Sequence, residues 1–136
     1  MIILDTNVLS ALMRQTPDQK VIAWLDEQSR SSVWTTSVTV LEIQLRILAA
    51  GRRRESLTEA FEILLKKMDE RVVTFDVAAA RKASDLMAAR HKKGRPVDLR
   101  DTMIAGIALA QHATLATRNT PHFEDAAISL VNPWDA

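Results

Sequence analysis

The sequence predicts an α/β domain with a central parallel β-sheet of four to five strands flanked by helices. Two observations carry the prediction. Short β-branched runs alternate with longer stretches of helical periodicity, the pattern of strands joined by crossover helices. The 136 residues, 47% of them hydrophobic, suffice for one sizeable core but not two, and no repeat, low-complexity tract or linker divides them. Positions 1–136 therefore form one domain.

Each element follows from local chemistry. Ile2 to Asp5 is a buried strand ending at an acid, and Thr6 or Asn7 can cap a helix running to about Arg14. Pro17 suits the first turn of the next helix, where its missing N–H is no loss, and Val21, Ile22 and Leu25 form the inward stripe up to about Gln28. Ser32 to Ser37 is a second strand. In the helix after it, Val38, Leu41, Leu45 and Leu48 share one stripe at about 100° per residue, with Glu42 at its edge, and Gly51 ends the helix. Glu55 to Glu70 is an amphipathic helix, Arg71 to Phe75 a third strand, and Asp76 the N-cap of a long helix to about Lys93. Gly94 to Arg100 is a loop, Asp101 opens an apolar helix ending near His112, and Ala113 to Thr117 and Ile128 to Val131 are two more strands.

Composition excludes several chemistries. Without cysteine there is no disulfide, thiolate metal site or cysteine nucleophile, so any metal is bound by oxygen or histidine. The three histidines at positions 91, 112 and 122 share no metal-site spacing and are assigned structural or surface roles. The start of the chain does not resemble a signal peptide, and no apolar run approaches the ~20 residues of a membrane span, so a soluble, cytoplasmic protein is expected. A net charge of +1 neither requires nor forbids a nucleic-acid partner.

Three acids stand out. Ligands of open α/β sheets gather beyond the carboxyl ends of strands, where Asp5 sits, although helix capping also explains an acid there. Glu42 borders its apolar stripe one turn after strand two, and a boundary glutamate snorkelling to water is the simpler alternative. Asp101 shares a face with Ile104, Ala105 and Ala108; the helix dipole explains its position but not its inward direction. The small Ala105, Gly106 and Ala108 let that helix approach the sheet closely. Three carboxylates at one rim repel one another unless a cation joins them, and hard oxygen donors select magnesium or manganese. That combination hydrolyses phosphate esters.

Ile3-Leu4-Asp5-Thr6-Asn7, Ser37-Val38-Thr39-Val40-Leu41-Glu42, Asp101-Thr102-Met103-Ile104-Ala105 and Leu115-Ala116-Thr117-Arg118-Asn119, then His122-Phe123 and Asn132-Pro133-Trp134, run through almost the whole chain. In this order and spacing they resemble the PIN-domain ribonucleases, specifically VapC-type toxins of toxin–antitoxin pairs and their FitB-like relatives. The resemblance implies a single PIN domain in which Asp5 and Asp101 hold magnesium and Glu42 completes the acidic cluster, orienting or activating the attacking water. Thr6, Asn7, Thr117 and Asn119 are implied as second-tier site residues. Asn119 stands where many relatives have a fourth acid, so one well-held ion is expected. Asp98 competes with Asp101 as the third acid, while Glu124 and Asp125 are expected in a solvated turn.

Arg52-Arg53-Arg54 and Arg90-His91-Lys92-Lys93-Gly94-Arg95 are the dense basic clusters. An exposed charged turn explains either one, yet a nuclease of near-zero net charge needs local positive surface. Arg90, Lys92, Lys93 and Arg95, just before the Asp101 loop, are assigned as the RNA-binding edge. With six Phe and Trp and no Tyr, an extended base-stacking platform is not expected. Trp24 and Trp34 belong to the core, and Trp134 packs back on the fold. The resemblance also implies a homodimer and a cognate antitoxin whose C-terminal segment covers the acidic site; the helices around Val21 to Leu25 and Leu57 to Met68 are the dimer-face candidates unless the core consumes them. Two alternatives stay open: a non-catalytic PIN-like RNA- or protein-binding module, and an aspartate-nucleophile phosphatase acting through Asp5.

Overall fold

The computed structural model describes residues 1–96 and 98–136; Val97, within the expected loop, lies outside the described residues. Strands β1 (Ile2–Leu4), β2 (Val33–Thr36), β3 (Val72–Val73), β4 (Thr114–Ala116) and β5 (Ser129–Val131) form one sheet in the order β3-β2-β1-β4-β5. Every pairing is parallel, with Ile3 opposite Trp34 on one side and Leu115 on the other. From β1 the chain winds to one edge through β2 and β3, then returns to the other side through β4 and β5. The order reverses between β1 and β4, and the crevice at their carboxyl ends is where this topology holds ligands.

Helices α1 (Thr6–Leu12), α2 (Gln19–Asp26), α3 (Ser37–Leu48), α4 (Arg54–Lys67), α5 (Val77–Lys92) and α6 (Leu99–Gln111) join the strands. Alternation along β1 sends Ile3 to one face and Leu4 to the other. Ile3 joins Leu115, Ile104, Ile107 and Phe123 in the core beneath α5 and α6. Leu4 packs with Val8, Val21, Ile43 and Phe61 in the core beneath the first four helices. Trp24 is buried, Trp34 packs against the first core and Trp134 against the second, as expected.

Several elements depart from the sequence reading. Pro17, expected in the first turn of α2, lies one residue before its cap: Asp18 caps the helix by accepting from the Lys20 amide at 2.8 Å, and the first turn begins at Gln19, because a carboxylate satisfies an orphan N–H that proline cannot. The inward face of α3 is Val38, Thr39, Ile43 and Ile47; Leu41, Leu45 and Leu48 are each more than half exposed. The β-branched residues pack against α1 and the sheet, which rotates the leucines outward. Val21, Trp24, Phe61 and Met68 are consumed by the core, so the exposed apolar stripe lies on α3 instead. Gly106 faces α5 rather than the sheet: a Cβ there would lie 2.5 Å from the Ala79 carbonyl oxygen and 2.8 Å from the Ala83 Cβ. His112, with φ 51°, closes α6 in the left-handed conformation.

Candidate active site

Asp5 ends β1 at the switch point and is 3% exposed. Its Oδ1 accepts from the Thr6 amide at 2.8 Å, so it also caps α1, the role the sequence reading gave to Thr6 or Asn7. Its Oδ2 accepts from the Thr117 hydroxyl at 2.7 Å and the Asn7 amide at 3.2 Å. Thr117 is wholly buried at the end of β4. Asn7 also accepts from the Arg118 amide at 3.2 Å, which ties the β1–α1 corner to the chain leaving β4. Burial, reinforced by the charges of Asp101 and Glu42, raises the Asp5 pKa from 3.8 to about 6 despite these hydrogen bonds. No basic side chain among the described residues pairs with it.

Glu42, one turn into α3, is aimed by a file of threonines. The Thr36 hydroxyl donates to that of Thr39 at 3.3 Å, and Thr6 donates to Glu42 Oε1 at 2.9 Å. With the Thr6 proton so committed, the 3.0 Å contact between Thr39 and Thr6 runs from Thr39 to Thr6. The file is buried, and Thr36 also caps α3 by accepting from the Thr39 amide at 3.1 Å. On the open side, Arg100 Nη1 lies 3.8 Å from Glu42 Oε2. Sequence reasoning named Thr6 but missed Thr36 and Thr39. Their signal was two hydroxyls three residues apart at a strand–helix junction, which is also an ordinary cap.

Asp101 sits in the first turn of α6, and its charge raises the pKa of Asp5. Asp98 lies beside it, with its side chain committed to capping α6 by accepting from the Asp101 amide at 3.0 Å. His122 is on the surface, as expected, but its Nδ1 lies 3.1 Å from Asp101 Oδ2, a contact no spacing rule flagged. Asn119 joins through its backbone, its amide donating to Thr117 Oγ1 at 3.1 Å and its carbonyl accepting from the His122 amide at 3.0 Å.

The expected RNA-binding edge needs correction. Arg90 is 5% exposed and its guanidinium makes a two-pronged ion pair with Asp125, both contacts at 2.9 Å. It also donates to the Thr102 hydroxyl at 2.9 Å and the His122 carbonyl at 2.7 Å. Asp125, expected to be solvated, is the largely buried partner of this pair, while Glu124 is exposed. Arg90 therefore fastens α5 to the segment after β4 and is unavailable to a ligand; Lys92, Lys93 and Arg95 stay exposed.

Among the described residues, no three His, Asp or Glu side chains are drawn together into a ready-made ion cage. The donor chemistry nevertheless fits a hard divalent cation: Asp5 and Asp101 are oxygen donors, and their mutual repulsion is what a cation relieves.

Residues 2–128 match the PIN domain family model. The chain is 38% identical to VapC ribonuclease Y4jK of Sinorhizobium fredii, covering 99% of each protein, and 33% identical to Toxin FitB of Neisseria gonorrhoeae, covering 98% of this chain and 99% of that one. It superposes on the crystal structure of FitAcB from Neisseria gonorrhoeae with a TM-score of 0.89 at 32% identity, covering the whole of both chains.

Proposed function

This chain belongs to the PIN domain family, in its branch of VapC-type toxins, and from that premise we propose that it is a magnesium-dependent endoribonuclease, the toxin of a toxin–antitoxin pair. The observation that carries the reading is Asp5: a buried carboxylate at the sheet's switch point, within the field of the Asp101 and Glu42 charges, with no basic partner among the described residues. Asp5 and Asp101 are the residues that would hold magnesium, or manganese in its place. Such an ion, when bound, offsets charge on phosphoryl oxygens and acidifies water.

The chain's own groups do the rest. The threonine file holds Glu42 in one rotamer, so that its carboxylate orients the attacking water and takes its proton. Thr117, Thr6 and Asn7 lock Asp5 so that both its oxygens keep fixed directions. Lys92, Lys93 and Arg95 remain surface cations for an RNA backbone. Asn7 donates to Asp5 where a phosphatase of the aspartate-nucleophile kind needs a second acid, which counts against that alternative.

A cognate antitoxin is the partner this reading requires, and relatives named as a toxin and as a VapC ribonuclease support it. A homodimer through the exposed Leu41, Leu45 and Leu48 stripe, and a cytoplasmic location, complete the proposal; no helix of the described residues is long and apolar enough to cross a membrane. The test is cleavage of RNA in magnesium by the parent, Asp5→Asn and Asp101→Asn proteins. Activity in the parent alone, with all three folded, supports the enzyme; RNA binding without cleavage by the parent would favour the non-catalytic module.

A further inference from the structure

We propose that the groove between α1, α3 and the start of α4 carries the RNA strand away from the acidic centre, with Arg46, Arg14 and Arg53 taking successive phosphates. The inference rests on the nuclease reading and deepens it by naming the substrate's path.

Helices α1 and α3 run side by side in matched register. Thr6 and Glu42 meet at 2.9 Å; one turn further along each helix, Ser10 accepts from Arg46 Nη1, also at 2.9 Å. A step of one turn is about 5.4 Å, so the first cation of the groove lies within reach of the phosphate next to one held at the acids. Beyond it a cavity of about 400 Å³ opens, with Arg14 and Arg53 on its walls and Ile47 and Leu57 on its floor. Among the described residues no carboxylate lines it and none pairs with these three arginines, which are all exposed. Surface arginines left without acids beside an acidic centre suit a polyanion that begins at that centre. The apolar floor suits the faces of unpaired bases, as a loop of a folded RNA presents them. Arg53 belongs to the first basic cluster of the sequence; in the second, Arg90 is bound to Asp125, and Arg95 lies 3.7 Å from the same carboxylate.

The test measures binding of a fluorescent single-stranded RNA octamer to the full-length protein, in EDTA to prevent cleavage, over a series of salt concentrations. Arg46→Gln/Arg53→Gln is compared with the parent and with Arg81→Gln/Lys82→Gln, a charge-matched pair exposed on α5. Losing two phosphate contacts lowers the slope of log affinity against log salt by about 1.4, at ~0.7 per phosphate of a single strand. The α5 pair keeps the parental slope. A parental slope in the groove variant, or an equal fall in the α5 pair, overturns the proposal. If the parent still cleaves RNA in magnesium, the nuclease reading survives that failure; if the parent neither binds nor cleaves RNA, both fall. Retained RNA slope with lost binding of a partner protein would assign the groove to an acidic protein segment and overturn the proposal as well.

Discussion

Asp5 and Asp125 are both largely buried carboxylates, yet their surroundings treat charge in opposite ways. Asp125 is gripped by the Arg90 guanidinium, which holds its carboxyl below the usual carboxylate range. Among the described residues Asp5 meets only neutral donors, and burial, with a smaller push from the charges of Asp101 and Glu42, raises its pKa to about 6 against the lowering effect of those donors. One charge is neutralised within the fold and serves architecture; the other is left uncompensated and is the one that the proposed cation would offset.

The largest effect should come from breaking the compensated side. Asp125→Ala leaves Arg90 buried without its anion and should destabilise the protein by about 3–5 kcal/mol, lowering the melting temperature by about 10 °C or more. RNA cleavage per folded molecule should stay near the parental rate. A fall of less than about 1 kcal/mol would mean that the pair is dispensable.

Asp5→Asn should do the reverse, lowering the cleavage rate at least ~100-fold, since loss of groups merely supporting metal ligands already costs 10–100-fold. In the metal-free protein it should not destabilise at neutral pH. The sign follows from linkage: the folded protein keeps a proton on Asp5 that the unfolded chain releases, so stability from this group falls as pH rises from about 4 to about 6. The parent's stability, measured against Asp5→Asn by urea unfolding, should therefore drop by up to about 3 kcal/mol across that window and level off above it. The Arg90–Asp125 pair behaves oppositely, its contribution being lost only as pH falls below the ordinary carboxylate range. A flat difference profile for Asp5→Asn would show that Asp5 is not under charge stress.

The contrast between these two aspartates was only half legible in the sequence. Asp5 followed a β-branched run and preceded a helix, a local pattern that marks a strand's carboxyl end, and Asp76 and the inward side of α6 were equally local. The Arg90–Asp125 pair joins residues 35 apart, and nothing near either residue signals the other. The outward turn of α3 was hidden because two stripes compete on that helix. The leucines form the more hydrophobic one, but Ile43, Ile47 and the hydroxyl of Thr39 fit the neighbouring helix and the threonine file. The placing of Glu42 followed from that packing and not from hydrophobic periodicity.

The smallest predicted effect tests that file. Thr39→Val preserves shape but removes the hydroxyl that donates to Thr6, and should slow cleavage by about 10-fold through kcat with KM little changed, as expected of a positioning residue. Thr39→Ser should restore most of the rate. Equal loss in both variants would point to a packing role instead.

In the proposed enzyme Asp5 carries an uncompensated charge that a divalent cation would relieve. Thermal unfolding of the parent and Asp5→Asn proteins with and without magnesium, at pH 7.5 and again at pH 5, tests it most directly. The expected result is a melting temperature that rises with magnesium for the parent at the higher pH, rises less at the lower pH where Asp5 is protonated, and does not move for the variant. Equal rises in parent and variant, or no rise in the parent at pH 7.5, would contradict the account.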